Sequence, residues 1–205
     1  MPEAEREMPK VDAEALRKKL VAEFGPGAGI VTSAMGLPGL LEGKRFKHIV
    51  EIGTMHGFSA ALLAHYADKV TTIDTVDRPL ADNVLIACKV KDRVKRVVVK
   101  SNDDKERLLA RSWFDMAFIN GLHTRYGVIF DFAITRRCGC ILFHNYPVAP
   151  PPLHGDKVYL MHRYPADAKW FDGPGFLLDY IVPAGRIVRA DGYAWWYAQG
   201  VPADA

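Results

Sequence analysis

The chain has 205 residues, of which 49% are hydrophobic, 25% charged and 11% aromatic, ordinary proportions that exclude a disordered, collagen-like or coiled-coil protein. At about 150 residues per domain the length suits one generous domain, able to bury a core without disulfides or a structural metal. Lys and Arg number 27 against 24 Asp and Glu, a net charge of +3 that is too mild to argue for nucleic acid or a membrane surface as partner.

Residues 11–24 carry Leu16, Leu20 and Phe24 at helical spacing among charges, and the glycines of GPGAG (25–29) end that helix. A short buried strand is expected over 47–52 (KHIVEI), then a helix over 58–67 rich in small residues, a strand over 70–74 and a helix over 80–89. The basic run KVKDRVKRVVVK (89–100) reads as a solvated helix end followed by an edge strand over 94–99. A short helix over 105–110, a strand over 114–119, a helix over 126–136 with Ile129, Phe132 and Ala133 on one side, and a strand over 140–144 complete the alternation. Repeated strand and helix imply an α/β fold with a mostly parallel sheet covered on both faces, whose ligand site lies outside the carboxyl ends of the strands. After Tyr146 the pattern changes to a Pro-rich stretch, 147–174. The apolar run 176–182, a turn at PAGR and the returning IVRADGYAWWYAQ then suggest a closing antiparallel pair. Alternation along that last strand would bury one of Trp195 and Trp196 and expose the other.

No apolar run reaches the roughly 18 residues of a membrane span, and the polar start MPEAEREMPK is unlike a secretory signal. Three cysteines cannot all pair, and Cys138 and Cys140 share one face of a strand, so a reducing, cytoplasmic compartment is expected.

The sharpest motif is EIGTMHGFS, which sets Glu51, Gly53 and Gly57 between a strand and a helix, with Asp74 ending the next strand. Glycine permits the tight turn and the close approach of the helix, and an acid after the second strand is where a nucleotide-binding α/β fold meets ribose hydroxyls. The spacing is GxxxG, with Thr54, Met55 and His56 where a dinucleotide loop has its middle glycine, which disfavours NAD or FAD. An acid two residues before the first glycine suits a cationic ligand group. S-adenosylmethionine has an ammonium, a sulfonium and no phosphate.

With FDMAFINGLH and ILFHNYP downstream, this stretch resembles the class I S-adenosylmethionine-dependent methyltransferases. Among them it is similar to the small O-methyltransferase-like group, whose corresponding segments read roughly FDLVFIDGDH and FHD. The resemblance spans about residues 47–147. It implies a Rossmann-like methyltransferase fold with a seven-stranded, mostly parallel sheet, helices on both faces and an antiparallel final strand. It also implies S-adenosylmethionine as cofactor, with Glu51 and the 53–57 loop (Gly53, Thr54, Gly57) and Ser59 toward the methionine moiety. Asp74 would take the ribose, Asp103 would lie near the adenine, and Asn120 would join the cofactor-binding set.

The arrangement further resembles the metal-dependent catechol-type O-methyltransferases, whose Asp ligand, Lys base and Asp-Asn pair correspond here to Asn120, His123 and the pair His144 and Asn145. Both acidic positions have changed. Asn120, His144 and Asn145 are a poor set for Mg²⁺ or Ca²⁺, while an imidazole would admit Zn²⁺, Fe²⁺ or Ni²⁺, so use of a divalent metal is left open. Without a metal, His123 or His144 is the candidate general base.

These readings lead to one expectation, methyl transfer to a hydroxyl of a small-molecule acceptor. Two alternatives stand beside it, a catalytically silent S-adenosylmethionine-binding protein of the same fold and a metal-dependent, hydroxylase-like descendant. The expected organisation is a single domain, 1–205, comprising an N-terminal helical segment (1–46), a cofactor-binding core (47–147), a Pro-rich acceptor or lid segment (148–175) and closing strands (176–205). His162, Arg163 and Trp170 of the third part are the candidate acceptor contacts. A homodimer is compatible with such folds, although no interface is specified.

Overall fold

In the computed structural model, residues 11–26, 32–145, 177–179, 181–183, 186–190 and 192–200 are described. The strands form a seven-stranded sheet in the order β3-β2-β1-β4-β5-β7-β6. They are β1 (Phe46–Ile52), β2 (Ala67–Asp74), β3 (Val94–Val98), β4 (Met116–Ile119), β5 (Cys140–His144), β6 (Ile187–Ala190) and β7 (Tyr193–Tyr197). β2 with β3 and β4 with β5 run parallel, while β7 runs antiparallel to both β5 and β6, which gives the reversed last strand expected above. The helices are α1 (Ala13–Phe24), α2 (Leu37–Leu41), α3 (Phe58–Leu63), α4 (Pro79–Ala87), α5 (Asn102–Ala110) and α6 (Arg125–Thr135), and a 3₁₀ turn, Thr32–Gly36, precedes α2. The chain divides into two compact units, Met1–Ile49 with Thr54–Val98, and Val50–Gly53 with Val99–Ala205.

In the first unit, the Asp12 carboxylate caps α1 by accepting from the Ala15 amide at 2.9 Å, and Leu20 is buried. Apart from Ser59, α3 is apolar all round, and its small Ala60 and Ala61 let it sit fully buried. It ends at Leu63, and β2 already begins at Ala67, so helix 58–67 is shorter and strand 70–74 longer than expected. The basic run begins two residues after α4 ends at Ala87, so it is a turn followed by β3 and not the expected helix end. Arg96 bridges Asp77 at 2.9 Å and Asp82 at 2.6 Å, and Lys91 meets Asp82 at 2.5 Å, so nearby acids balance much of its charge.

In the second unit, Ser101 caps α5 through the Asp104 amide, so the helix starts at Asn102 and Asp103 lies in its first turn. The face of α6 differs from expectation. Val128, Asp131 and Thr135 are buried while Ala133 is exposed, because Asp131 is neutralised within the unit by Lys105 at 2.6 Å and the Thr135 hydroxyl donates back to the Asp131 carbonyl. The closing pair also differs. Residues 177–179 are helical, and the strands are β6 and β7 with the reversal at Gly192, φ +71°, which glycine adopts without strain. Trp195 and Trp196 are both buried, since β7 lies between two neighbouring strands and its two faces are covered. Trp196 meets Phe132 edge to face at 5.1 Å. Cys88, Cys138 and Cys140 form no disulfide with one another. Among the described residues no helix is long and apolar enough to cross a membrane. The Pro-rich stretch, with His162, Arg163 and Trp170, lies outside the described residues.

Candidate active site

In the first unit the glycine loop is tied to β2 at two points. Thr54 and Thr72, both buried, share a hydrogen bond between their hydroxyls at 2.6 Å. One residue on, Met55 takes φ +46° and donates its amide to Asp74 Oδ2 at 2.8 Å. The Gly57 amide closes the turn onto the Thr54 carbonyl at 2.8 Å, and Gly57, at φ +80°, passes into α3 against Ala81. A β-carbon at Gly57 would stand 3.1 Å from the Ala81 carbonyl oxygen, so the glycine serves both backbone conformation and close helix packing. Ser59 is buried in the first turn of α3. The loop residues Thr54 and Gly57 and the acid Asp74 therefore belong to one connected arrangement.

In the second unit Glu51 is fully buried near the end of β1, and Gly53 follows at φ +102°. A β-carbon there would fall 2.3 Å from the Asn120 carbonyl oxygen, and the Asn120 amide donates to Ile52 at 2.9 Å, so the ends of β1 and β4 meet backbone to backbone. His123, after β4, and His144, which ends β5, are brought together with ring centroids 5.8 Å apart and planes near perpendicular. His144 is 4% exposed, and its ring also faces Tyr193 at 5.2 Å and Phe118 at 6.3 Å. Burial among these rings pushes its pKa down to about 4, so it is neutral at pH 7, and the Tyr193 phenol is pushed up by the same cause. His144 Nδ1 has no hydrogen-bond partner among the described residues. Asn145 follows at φ +62°, a left-handed conformation that Asn tolerates better than most side chains.

Asp103 stands apart from these contacts, exposed in the first turn of α5, where a negative charge suits the helix N-terminus. The metal candidates Asn120, His144 and Asn145 offer two amides and one buried imidazole without a carboxylate. Among the described residues no group of three or more His, Cys, Asp or Glu side chains is placed to hold a metal ion. That donor chemistry does not suit Mg²⁺ or Ca²⁺.

Sequence reasoning missed three participants. Thr72 looks like an ordinary strand threonine until its hydroxyl is seen to hold Thr54. Lys105 and Asp131 form a buried pair, and Asp131 Oδ2 would lie 3.7 Å from a β-carbon on Gly121, the residue after Asn120. The signal available was an isolated acid inside the apolar segment VIFDFAI.

Residues 50–146 match the family model of a methyltransferase domain. Among curated proteins no relative matches the sequence. Among solved structures the chain is similar to an O-methyltransferase from Bacillus cereus in complex with SAH, at 18% identity and a TM-score of 0.61, with 93% of this chain and 92% of that one covered. It is also similar to the SAH-bound Podospora anserina methyltransferase PaMTH1, at 19% identity and a TM-score of 0.62, covering 91% and 88%.

Proposed function

We propose, for a chain whose residues 50–146 are a class I S-adenosylmethionine-dependent methyltransferase domain, that it transfers a methyl group to a hydroxyl oxygen of a small molecule, with His123 as general base. The observation that carries the cofactor half is the glycine turn held by Asp74, with the buried carboxylate of Glu51 just before it. A carboxylate at that point favours a cationic amino-acid group and repels a diphosphate. Glu51 then takes the cofactor ammonium, Gly53, Thr54, Gly57 and Ser59 shape the turn around the methionine moiety, and Asp74 takes the ribose. Asp103 and Asn120 complete the cofactor set.

S-adenosylmethionine supplies an electrophilic methyl on a sulfonium that departs as a neutral thioether. The chain's part is to hold the acceptor oxygen in line and to remove its proton. His123 suits the second task because its ring is only partly buried and so can pass the proton on to solvent. His144, neutral and enclosed, is a weak base, and its part is to orient the His123 ring against which it packs. No step is routed through a metal, because Asn120 and His144 stand where the resemblance would place acids.

The test is calorimetry with S-adenosylhomocysteine, followed by turnover of S-adenosylmethionine over a panel of phenols, catechols and sugars. The expected result is binding, turnover with at least one hydroxyl acceptor in the presence of a chelator, and a fall of about 100-fold or more in kcat for His123→Ala with unchanged cofactor affinity. Binding without turnover on any acceptor would favour the catalytically silent reading, which the loss of both acids, at Asn120 and His144, supports. No binding would overturn the cofactor assignment.

A further inference from the structure

The loop that carries Asn120 and His123 is fixed from two sides. From β1, the Ile52 carbonyl accepts from the Asn120 amide at 2.9 Å, and Gly53 leaves room for the Asn120 carbonyl. From α6, two residues one turn apart, Gly127 and Asp131, meet the part of the loop that follows. A β-carbon on Gly127 would stand 2.7 Å from the Leu122 carbonyl oxygen and 3.0 Å from the Thr124 hydroxyl, which already accepts from the Gly127 amide at 3.1 Å. Gly127 lies inside a right-handed helix, where side-chain-bearing residues fit freely and glycine weakens the element, so what demands glycine here is space. Gly121 is enclosed in a similar way. A β-carbon on it would lie 3.2 Å from the Ile52 side chain and 3.7 Å from Asp131 Oδ2. The Asp131 carboxylate is buried and held in place, because Oδ1 accepts from Lys105 at 2.6 Å and the Lys105 ammonium lies 5.4 Å from the centroid of the Phe130 ring.

We propose that Gly127 and Asp131 are positioning residues for His123. Gly127 seats the Leu122 carbonyl, and Asp131, steadied by Lys105, backs Gly121, so the peptide groups just before His123 have one place to lie. β1 fixes Asn120 while α6 fixes the residues after it, and the two supports can be disturbed separately. The catalytic consequence rests on the reading of His123 as general base given above, and the positioning itself does not. A base must come within hydrogen-bond reach of the acceptor hydroxyl, and a displacement of about 1 Å can cost about 100-fold in rate.

The first measurement is the ring signal of His123 in the ligand-free protein, read by nuclear magnetic resonance on isotope-labelled histidine and assigned by its loss in His123→Ala. The His144 ring, 5.8 Å away and near perpendicular, makes that signal sensitive to where the His123 ring lies. Gly127→Ala is expected to move or split the signal and to lower resistance to urea, although alanine is the better helix former. An unmoved signal overturns the role of Gly127. For Asp131, two charge-free pairs are compared. Lys105→Met with Asp131→Ala opens a gap beside Gly121, and Lys105→Met with Asp131→Leu fills it. The first displaces or broadens the His123 signal and the second restores it, whereas the same signal in both overturns the role of Asp131. Should Gly127→Ala not fold, the two pairs alone decide the proposal. The second measurement is kinetics on whichever phenol, catechol or sugar the wild type methylates. Gly127→Ala and the alanine pair lower kcat about tenfold or more, with KM and S-adenosylhomocysteine affinity within about twofold, and the leucine pair recovers kcat to within about threefold of wild type. A raised KM at unchanged kcat overturns the catalytic consequence. If the wild type methylates no acceptor, or His123→Ala keeps full turnover, the reading of His123 as base fails, and the His123 ring signal still decides the positioning.

Discussion

Gly53 leaves no room for a side chain. Its φ of +102° suits glycine, and a β-carbon would press at 2.3 Å on a backbone oxygen of Asn120 that cannot retreat without disturbing the Asn120 to Ile52 hydrogen bond. Gly53→Ala is therefore expected to cost about 3 kcal/mol or more of folding stability, measured by urea denaturation, so a substitution there tests folding before it tests binding. His144 makes a second, pH-dependent prediction. Burial lowers its pKa from 6.5 to about 4, so the unfolded chain binds the proton more readily, and stability present above pH 6.5 is lost as the pH falls toward 4. Between pH 7 and about 4.5 wild type should lose roughly 2.5 kcal/mol more than His144→Gln, read from denaturation curves at the two pH values. An equal loss in both would place the acid sensitivity elsewhere. These two residues were singled out from sequence for different reasons. The glycine was legible because its conformational freedom is a property of the residue itself. The neutrality of His144 was not, because it depends on rings supplied by β4 and β7.

At the scale of elements, the informative contact joins α5 to α6. Lys105 and Asp131 meet at 2.6 Å with little exposure, and burial raises the Asp131 pKa against the lowering effect of Lys105. Breaking a buried pair by removing one partner leaves an uncompensated charge, so Asp131→Leu or Lys105→Met alone should cost about 3–5 kcal/mol. The double variant should lie within about 1 kcal/mol of wild type, since an apolar pair of similar size removes both desolvation penalties. Denaturation of the three variants checks this, and simple additivity of the two losses would deny the coupling. The same pair explains why α6 turns a different face inward from the one its apolar residues suggest. Periodicity places Ile129, Phe132 and Ala133 together, whereas the buried stripe is Val128, Asp131 and Thr135, which a pattern counting only apolar residues misses. The start of α5 was misjudged for a related reason. Ser101 followed three residues later by Asp104 is a capping signal, and the acidic stretch behind it is helix, with Asp103 favourably placed at its N-terminus.

At the scale of the whole molecule, the mostly parallel seven-stranded sheet and its antiparallel final strand followed from a reading of alternating strands and helices together with the resemblance, while the strand order β3-β2-β1-β4-β5-β7-β6 came from the tertiary structure. The sequence by itself determined where strands stop, where glycine turns fall and which acid follows the second strand, because these depend on residue period and on the backbone freedom of single residues. It also pointed to His123 and His144 as neighbours, since ligand sites in such sheets lie beyond the strand ends. Only the tertiary structure decided that both Trp195 and Trp196 are buried, that residues 177–179 are helical and that Asp131 is paired. Most of these outcomes are set by groups far away along the chain. Burial, desolvation and hydrogen-bond occupancy are properties of a neighbourhood, and folding assembles that neighbourhood from segments that no local pattern connects.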